Sequence, residues 1–315
     1  MPFRHLCQRW IAIAVATWAV TLTSAGAQSG MVEITSTDLG HGLHMLQGSG
    51  GNIGLSVGDD GVVMIDDQFA NLTPAIEAKV RQLSDQPIRF VLNTHWHHDH
   101  TGGNENLGKA GAVIVAHHNV RKRMEAGGFM EAFKREVAPA VGDALPVVTF
   151  GHDIQFHLNG LTLDARHISH AHTDGDAYVY FPQANVLHTG DLYFNGFYPV
   201  IDWGSGGHID GMVQAVDKLL AIVDDNTKII PGHGPLSNKA ELETYRNMLA
   251  KVAQRMNALV ADGNSLEQVK AAKPSAEFDA TWGNGFLKIE PWVEMVYQGV
   301  KLRQEGKFQS AEGSH

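Results

Sequence analysis

The segment that most restricts how this 315-residue chain can fold is His95-Trp96-His97-His98-Asp99-His100, followed at once by Thr101-Gly102-Gly103. It places four potential metal ligands, His95, His97, Asp99 and His100, within six positions. The preceding run Ile88-Arg89-Phe90-Val91-Leu92-Asn93 is apolar and β-prone, which predicts a cluster at the end of a buried strand, where side chains can converge. His95 and His97, two apart, can grip one ion together. Asp99 and His100 then face a second ion nearby, an arrangement that contiguous ligands on a helix do not supply. A solvated polar turn is the competing reading, and the strand-end position and the further ligands downstream weigh against it.

Three more landmarks follow: His172 in His170-Ala171-His172-Thr173-Asp174-Gly175-Asp176, Asp191 in His188-Thr189-Gly190-Asp191, and His233 in Pro231-Gly232-His233-Gly234. With the first motif, in this order and spacing, they resemble the metallo-β-lactamase superfamily, whose signature is H-x-H-x-D-H after a strand. The resemblance implies a mixed α/β (α+β) fold, the four-layer αβ/βα sandwich. It also implies that His95, His97 and His172 bind a first ion, that Asp99, His100 and His233 bind a second, and that Asp191 bridges both. Imidazole and carboxylate ligands suit zinc, so two Zn2+ per chain are expected. Two cations at roughly 3.5 to 4 Å lower the pKa of a shared water toward neutrality, so no protein nucleophile is needed. Asp99 is then the catalytic residue that orients the nucleophile or moves a proton.

The remaining histidines carry weaker signals. His98 lies between ligands and should turn away from them. His167 and His170 precede His172 without the Thr-x-Gly-Asp context and read as pocket or surface residues, and His117, His118 and His188 read as structural. Asp66, ending the strand Val62–Ile65, is a candidate acceptor for a ligand imidazole, with Asp67 beside it as the competitor. In the best-known subclass of true metallo-β-lactamases a Cys stands at the Asp191 position, with a Lys three residues later. Here Leu192-Tyr193-Phe194 follows Asp191. The acid instead resembles the glyoxalase II and lactonase branches, although no cluster of basic residues that would hold glutathione adjoins these loops. The run Tyr193-Phe194-Asn195-Gly196-Phe197-Tyr198-Pro199, with Trp203, is a candidate wall of an apolar pocket, or ordinary packing beneath a loop. Gly204-Ser205-Gly206-Gly207 either loosens this loop or leads into the next helix.

Residues 1–27 read as a secretory signal: Arg4 and Arg9 form a basic start, Trp10 to Leu22 an apolar stretch, and Ala25-Gly26-Ala27 a small-residue cleavage site. Cleavage before Gln28 and a periplasmic destination are expected. The apolar stretch is shorter than the ~20 residues of a spanning helix, so no membrane anchor is expected to persist. Residues 28–315 then make a single domain with a C-terminal helical segment. The one cysteine, Cys7, falls in the signal, so neither a disulfide nor a thiolate ligand is expected beyond it. The net charge of −10 becomes more negative when two arginines and no acid are removed, which disfavours nucleic-acid partners and leaves a small-molecule substrate.

Strands are predicted at Leu43–Leu46, Ile53–Val57, Val62–Ile65, Ile88–Asn93, Ala112–Ala116, Ile154–Leu158, Leu161–His167, Ala177–Phe181, Val186–His188 and Lys228–Ile230. Helices are predicted from Thr73, as N-cap, with Pro74 first in the helix, through Asn104–Leu107, over Val120–Arg135 apart from a Gly127-Gly128 break, over Ile209–Val223 and over Ala240–Asp262, with more after Asn264. The function expected is zinc-dependent hydrolysis of a carbonyl bond in a lactam, lactone, ester or thioester. The alternative is an iron-dependent oxidoreductase of sulfur-dioxygenase type on the same fold.

Overall fold

A computed structural model describes residues 1–2, 32–131 and 133–307 of the chain, so the signal expected over residues 1–27 lies outside the described residues except for its first two. In the first half, β1 (Thr35–Gly40), β2 (Leu43–Gln47), β3 (Ile53–Ser56) and β4 (Val62–Ile65) form an antiparallel meander. Helix α1 (Thr73–Leu83) crosses to β5 (Ile88–Asn93), which runs parallel to β4. The short helices α2 (His98–Thr101) and α3 (Asn104–Lys109) lead to β6 (Val113–His117), parallel to β5. Helix α4 (His118–Ala126) is followed by a small antiparallel pair, β7 (Gly128–Met130) and β8 (Arg135–Val137). Strand β9 (Val148–Phe150) then completes a seven-stranded sheet in the order β1-β2-β3-β4-β5-β6-β9.

The second sheet is the meander β10 (Asp153–Leu158), β11 (Leu161–His167), β12 (Ala177–Phe181) and β13 (Val186–His188). After α5 (Ile209–Leu220), β14 (Lys228–Ile230) joins its edge parallel to β13. Helices α6 (Lys239–Ala261), α7 (Leu266–Ala272), α8 (Asp279–Trp282) and α9 (Ile289–Gln304) follow.

Strand periodicity sorts the side chains into layers. Val63 and Ile65 of β4, Leu92 of β5 and Val115 of β6 meet Ala177, Val179 and Phe181 of β12, Val186 of β13 and Ile230 of β14 between the sheets. Their neighbours Val62, Met64, Val91 and Ile114 point the other way, onto Ile76 and Val80 of α1 and Leu107 of α3. On the far side Tyr178, Leu187 and Ile229 pack against Met212 and Val216 of α5, Leu249 of α6 and Trp292 of α9. Both faces of each central strand are therefore apolar, which is why these strands read as continuous hydrophobic runs. The result is the helix–sheet–sheet–helix sandwich expected from the resemblance.

Two local expectations are corrected. Residues 120–135 are not one broken helix: α4 ends at Ala126, and β7 and β8 form a hairpin. Gly127 and Gly128 both have positive φ (58° and 124°), and two successive residues in that region turn the chain back on itself. Met130 is then drawn into a buried cluster with Trp96, Val120, Met124 and Leu145, a tertiary contact that no local pattern announces. Thr73 is the first helical residue rather than the N-cap, because Leu72 occupies that place; the Thr73 hydroxyl accepts a hydrogen bond from Asn106 Nδ2. Strands β1 and β9, absent from the expectation, extend the first sheet at its two edges.

Candidate metal centre

The residues singled out in the sequence lie just past strand ends. His95 follows β5, Asp191 follows β13, and His233 follows β14, all at the carboxyl ends of strands that run parallel to a neighbour. His172 lies in the β11–β12 connection. This end of an open sheet collects loops that the strands hold rigidly, which is where α/β folds build sites.

Two groups of side chains form there. His95, His97, His172 and Asp191 make one, all buried, and Asp99, His100 and His233 make the other, with ligand atoms inside each group within 4.8 Å of one another. In the first, His97 Nδ1 is 2.9 Å from His172 Nε2. In the second, the Nε2 atoms of His100 and His233 are 3.2 Å apart, and Asp99 Oδ2 is 3.2 Å from His233 Nε2. Asp191 lies between them. Its Oδ2 is 3.6 Å from His95 Nε2 and 3.4 Å from His172 Nε2, and its Oδ1 is 3.2 Å from His100 Nε2 and 3.5 Å from His233 Nε2.

Behind these rings a set of acceptors fixes which nitrogen faces inward. Asp66 Oδ2 is 2.7 Å from His100 Nδ1 and accepts from the Thr94 hydroxyl, which in turn is 3.0 Å from His95 Nδ1. One buried carboxylate thus orients a histidine of each group. Asp67 is occupied otherwise, accepting from the Gly103 amide. His97 presents Nδ1 inward because its Nε2 is bound to Asp202 Oδ2 at 3.0 Å. His172 Nδ1 donates to the Val200 carbonyl, and its loop is tied by Asp176, which accepts from the His172 and Thr173 amides. Metal-binding imidazoles characteristically have such partners on the distal nitrogen.

The electrostatics are those of a site built for positive charge. Burial pushes the His100 imidazole down, but Asp191, Asp99 and Asp66 outweigh it and hold it above its ordinary value. Burial lowers His233 as well, and Asp191 and Asp99 outweigh it and raise the ring to about 9. Burial would raise the Asp191 carboxyl, yet His100, His233, His95 and His172 keep it well below the usual range. Burial dominates for His95 and His172, the first well lowered and the second down to about 4, which favours the neutral ring whose one bare nitrogen can donate an electron pair to a cation. His95 Nε2 and Asp191 Oδ1 are buried without a hydrogen-bond partner. Leaving such an atom unpaired costs roughly 1–3 kcal/mol, and a bound cation would satisfy both. The nitrogen and oxygen donor set is one that zinc takes.

Close backbone approach completes the frame. A Cβ at Gly51 would collide with the His100 ring, and one at Gly232 would collide with the Asp191 carboxylate. The other histidines fall outside the cluster. His98 is exposed and lies 5.8 Å from the Phe69 ring. His188 is buried, with Nε2 on the Asn52 carbonyl and Nδ1 accepting from Gly190. His170 meets the Gly206 carbonyl, and His117 stacks on His167 at 3.7 Å. The aromatic loop divides: Phe194 stacks on His233 at 5.1 Å and Phe197 lies 6.4 Å from it, while Tyr193 packs on Tyr245 and Tyr198 on Trp292. Gly206 takes the left-handed conformation and His208 caps α5, so the glycine stretch is a structured entry to that helix. Sequence reasoning missed Asp202 and Thr94, since neither carries a motif; the one available signal was a lone acid between the apolar Ile201 and Trp203.

The sequence profile described as "Metallo-beta-lactamase superfamily" matches residues 46–233. Hydroxyacylglutathione hydrolase of Polaromonas sp. (strain JS666) is 29% identical over 208 residues, covering 64% of this chain and 68% of that protein. The protein of the same name from Pelagibacter ubique is 30% identical over 182 residues, covering 54% of this chain and 64% of its own length. This chain therefore spans about two thirds of these relatives. Among solved structures, DIM-1 metallo-beta-lactamase superposes with a TM-score of 0.56 at 17% identity, over 70% of this chain and 99% of that one. The sec-alkylsulfatase Pisa1 from Pseudomonas sp. reaches 0.63 at 20% identity, over 84% and 50%. Those likenesses speak for the fold, and the profile, which runs from β2 to His233 across more than half of the chain, places this protein in the metallo-β-lactamase superfamily of hydrolases.

Proposed function

We propose that the protein is a dinuclear zinc hydrolase that cleaves the carbonyl bond of a small-molecule thioester or ester, with lactones and lactams as the next candidates. The observation that carries this reading is the position of Asp191, whose two oxygens each face imidazoles of a different group, so that one carboxylate serves both. Two cations, when bound, would acidify a shared water and polarise a carbonyl oxygen. His95, His97 and His172 would hold the first and Asp99, His100 and His233 the second, with Asp191 common to both. Asp99 is the partly exposed acid of the set, its side chain 28% accessible, and it is the group placed to accept and pass on a proton at Oδ2. Burial of His95, His97, His100, His172 and Asp191 and the stacking of Phe194 on His233 exclude water from the inner side of the cluster. The thioester preference is supported by the relatives named for hydroxyacylglutathione hydrolysis. Export with cleavage before Gln28 belongs to the same reading, and N-terminal sequencing of the secreted form tests it.

The deciding experiment is metal content of the purified protein alongside initial rates on a thioester, an aryl ester, an acyl-homoserine lactone and nitrocefin. Two zinc ions per chain with hydrolysis of at least one substrate is expected. In Asp191→Ala and in His172→Ala bound metal should fall and hydrolysis should drop by roughly a thousandfold or more, with the circular dichroism spectrum retained. Iron with no hydrolysis of any member would transfer the protein to redox chemistry. Full activity in either variant would remove the dinuclear mechanism.

A further inference from the structure

A groove of about 430 Å³ lies between the β7–β8 hairpin and the start of α9. Its apolar surface comes from Trp203, Leu287, Pro291 and Met295, and its rim from Glu131, Lys134 and Glu294. The groove is tied to the metal centre through its own lining: Trp203 follows Asp202, the acceptor for His97, and Met295 Sδ receives the Ile201 amide.

The two segments that wall the groove each present a phenylalanine to solvent next to a histidine of the cluster. Phe133 adjoins Lys134, is 44% exposed, and its ring is 6.0 Å from that of His97. Phe286 adjoins Leu287, is 58% exposed, and lies 6.4 Å from His233 and 6.1 Å from Phe197. These are two of the three exposed phenylalanines among the described residues. An exposed aromatic ring is disfavoured by hydration, and two of them flanking one site mark a surface that a ligand covers.

Charge decides what kind of ligand. Lys134 is the one basic residue of the groove, and it is engaged by Glu294 at 3.8 Å, while Glu294 is also held by Lys270 at 3.2 Å. Glu131 adds a further negative charge at the rim. A ligand arm bearing carboxylates, as glutathione does, finds acid there and no free cation. A groove walled by Trp, Leu, Pro and Met side chains suits a neutral apolar group, and its volume leaves room for a phenyl ring with its linker.

We propose that this groove selects substrates carrying an uncharged aryl or branched-alkyl group near the reacting carbonyl, with Phe133 and Phe286, which adjoin its lining and face His97 and His233, as the specificity-determining residues. The proposal rests on the hydrolase reading for the word substrate, though the groove can be tested without turnover. Ketones carry the carbonyl and no bond to cleave, so 4-phenylbutan-2-one and butan-2-one are the probes, titrated calorimetrically into the zinc-loaded protein. The aryl ketone should bind at least tenfold more tightly, and the double variant Phe133→Ala/Phe286→Ala should lose that preference. Both side chains are exposed, so the variant should fold. Equal affinities in the unsubstituted protein, or a preference kept by the double variant, would overturn the proposal. Hydrolysis is scored separately, on phenylacetyl and acetyl thioesters of one thiol. An intact ketone preference with no turnover would defeat the hydrolase reading and leave the groove standing, whereas turnover without any ketone preference would do the reverse.

Discussion

Asp66 holds an unusual position for a single side chain. Its backbone lies in the left-handed region at φ 63°, which a non-glycine residue adopts at some cost, and aspartate and asparagine tolerate it best. Three contacts hold it there: the Thr94 amide, the Thr94 hydroxyl and His100 Nδ1. Because it acts on His100 directly and on His95 through Thr94, Asp66→Asn should weaken both ions, by about tenfold or more. Asp202 binds His97 through its side chain and donates its amide to the His172 carbonyl, both histidines of the first group, so Asp202→Asn should weaken only one ion by a similar factor. Competition against a chromogenic chelator resolves the two binding steps; equal losses at both steps in both variants would refute this division of labour.

At the scale of elements, helix α4 begins on His117, whose ring serves as its cap. His117 Nε2 donates to the Gly151 carbonyl while Nδ1 accepts from the Asn119 amide, an arrangement that only the neutral ring can make. Burial, then the neighbouring His167 and His118, lower its pKa to about 3, below the unfolded value of 6.5. The folded state thus binds fewer protons than the unfolded one. The stabilisation is complete above pH 6.5 and is lost as the pH falls toward 3. Asparagine caps helices without titrating, so His117→Asn should flatten the fall in urea midpoint between pH 6.5 and 4. An unchanged slope would sink the assignment. The same helix shows why the β7–β8 hairpin escaped sequence reading: residues after Gly128 have helical composition, and the burial of Met130 against Trp96 decides otherwise.

Across the whole molecule, the C-terminal helices and the metal loops share one core. Trp292 of α9 is fully buried, stacks on Tyr198 at 3.8 Å, and donates Nε1 to the Pro199 carbonyl, one residue before the Val200 carbonyl that receives His172. Trp292→Ala should cost about 3–5 kcal/mol in chemical denaturation, and should also loosen the first ion. A stability loss with metal affinity unchanged would show that the loop is held without α9. An ion held by this cluster would bind the folded chain far better than the unfolded one, so chelation should lower the melting temperature by about 10 °C for an ion present at a thousand times its Kd. No shift on chelation would argue that the cluster carries no ion in the purified protein.

What the sequence by itself determined is the set of strand ends and the identity of the groups placed there. The seven residues of the two groups are local motifs, six of them past β5, β13 and β14, whose apolar runs are buried on both faces, and His172 in the β11–β12 connection. Only the tertiary structure decided how those groups are held. Asp202 and Thr94 meet their histidines across the fold or around a turn, His97 turns its Nδ1 inward because Asp202 claims its Nε2, and the groove between the hairpin and α9 joins segments more than 150 residues apart in a 315-residue chain. Ligand identity is a matter of which atoms a residue carries, so it can be read from sequence. Ring orientation and pocket shape are set by distal partners brought together by packing, and no local pattern encodes them.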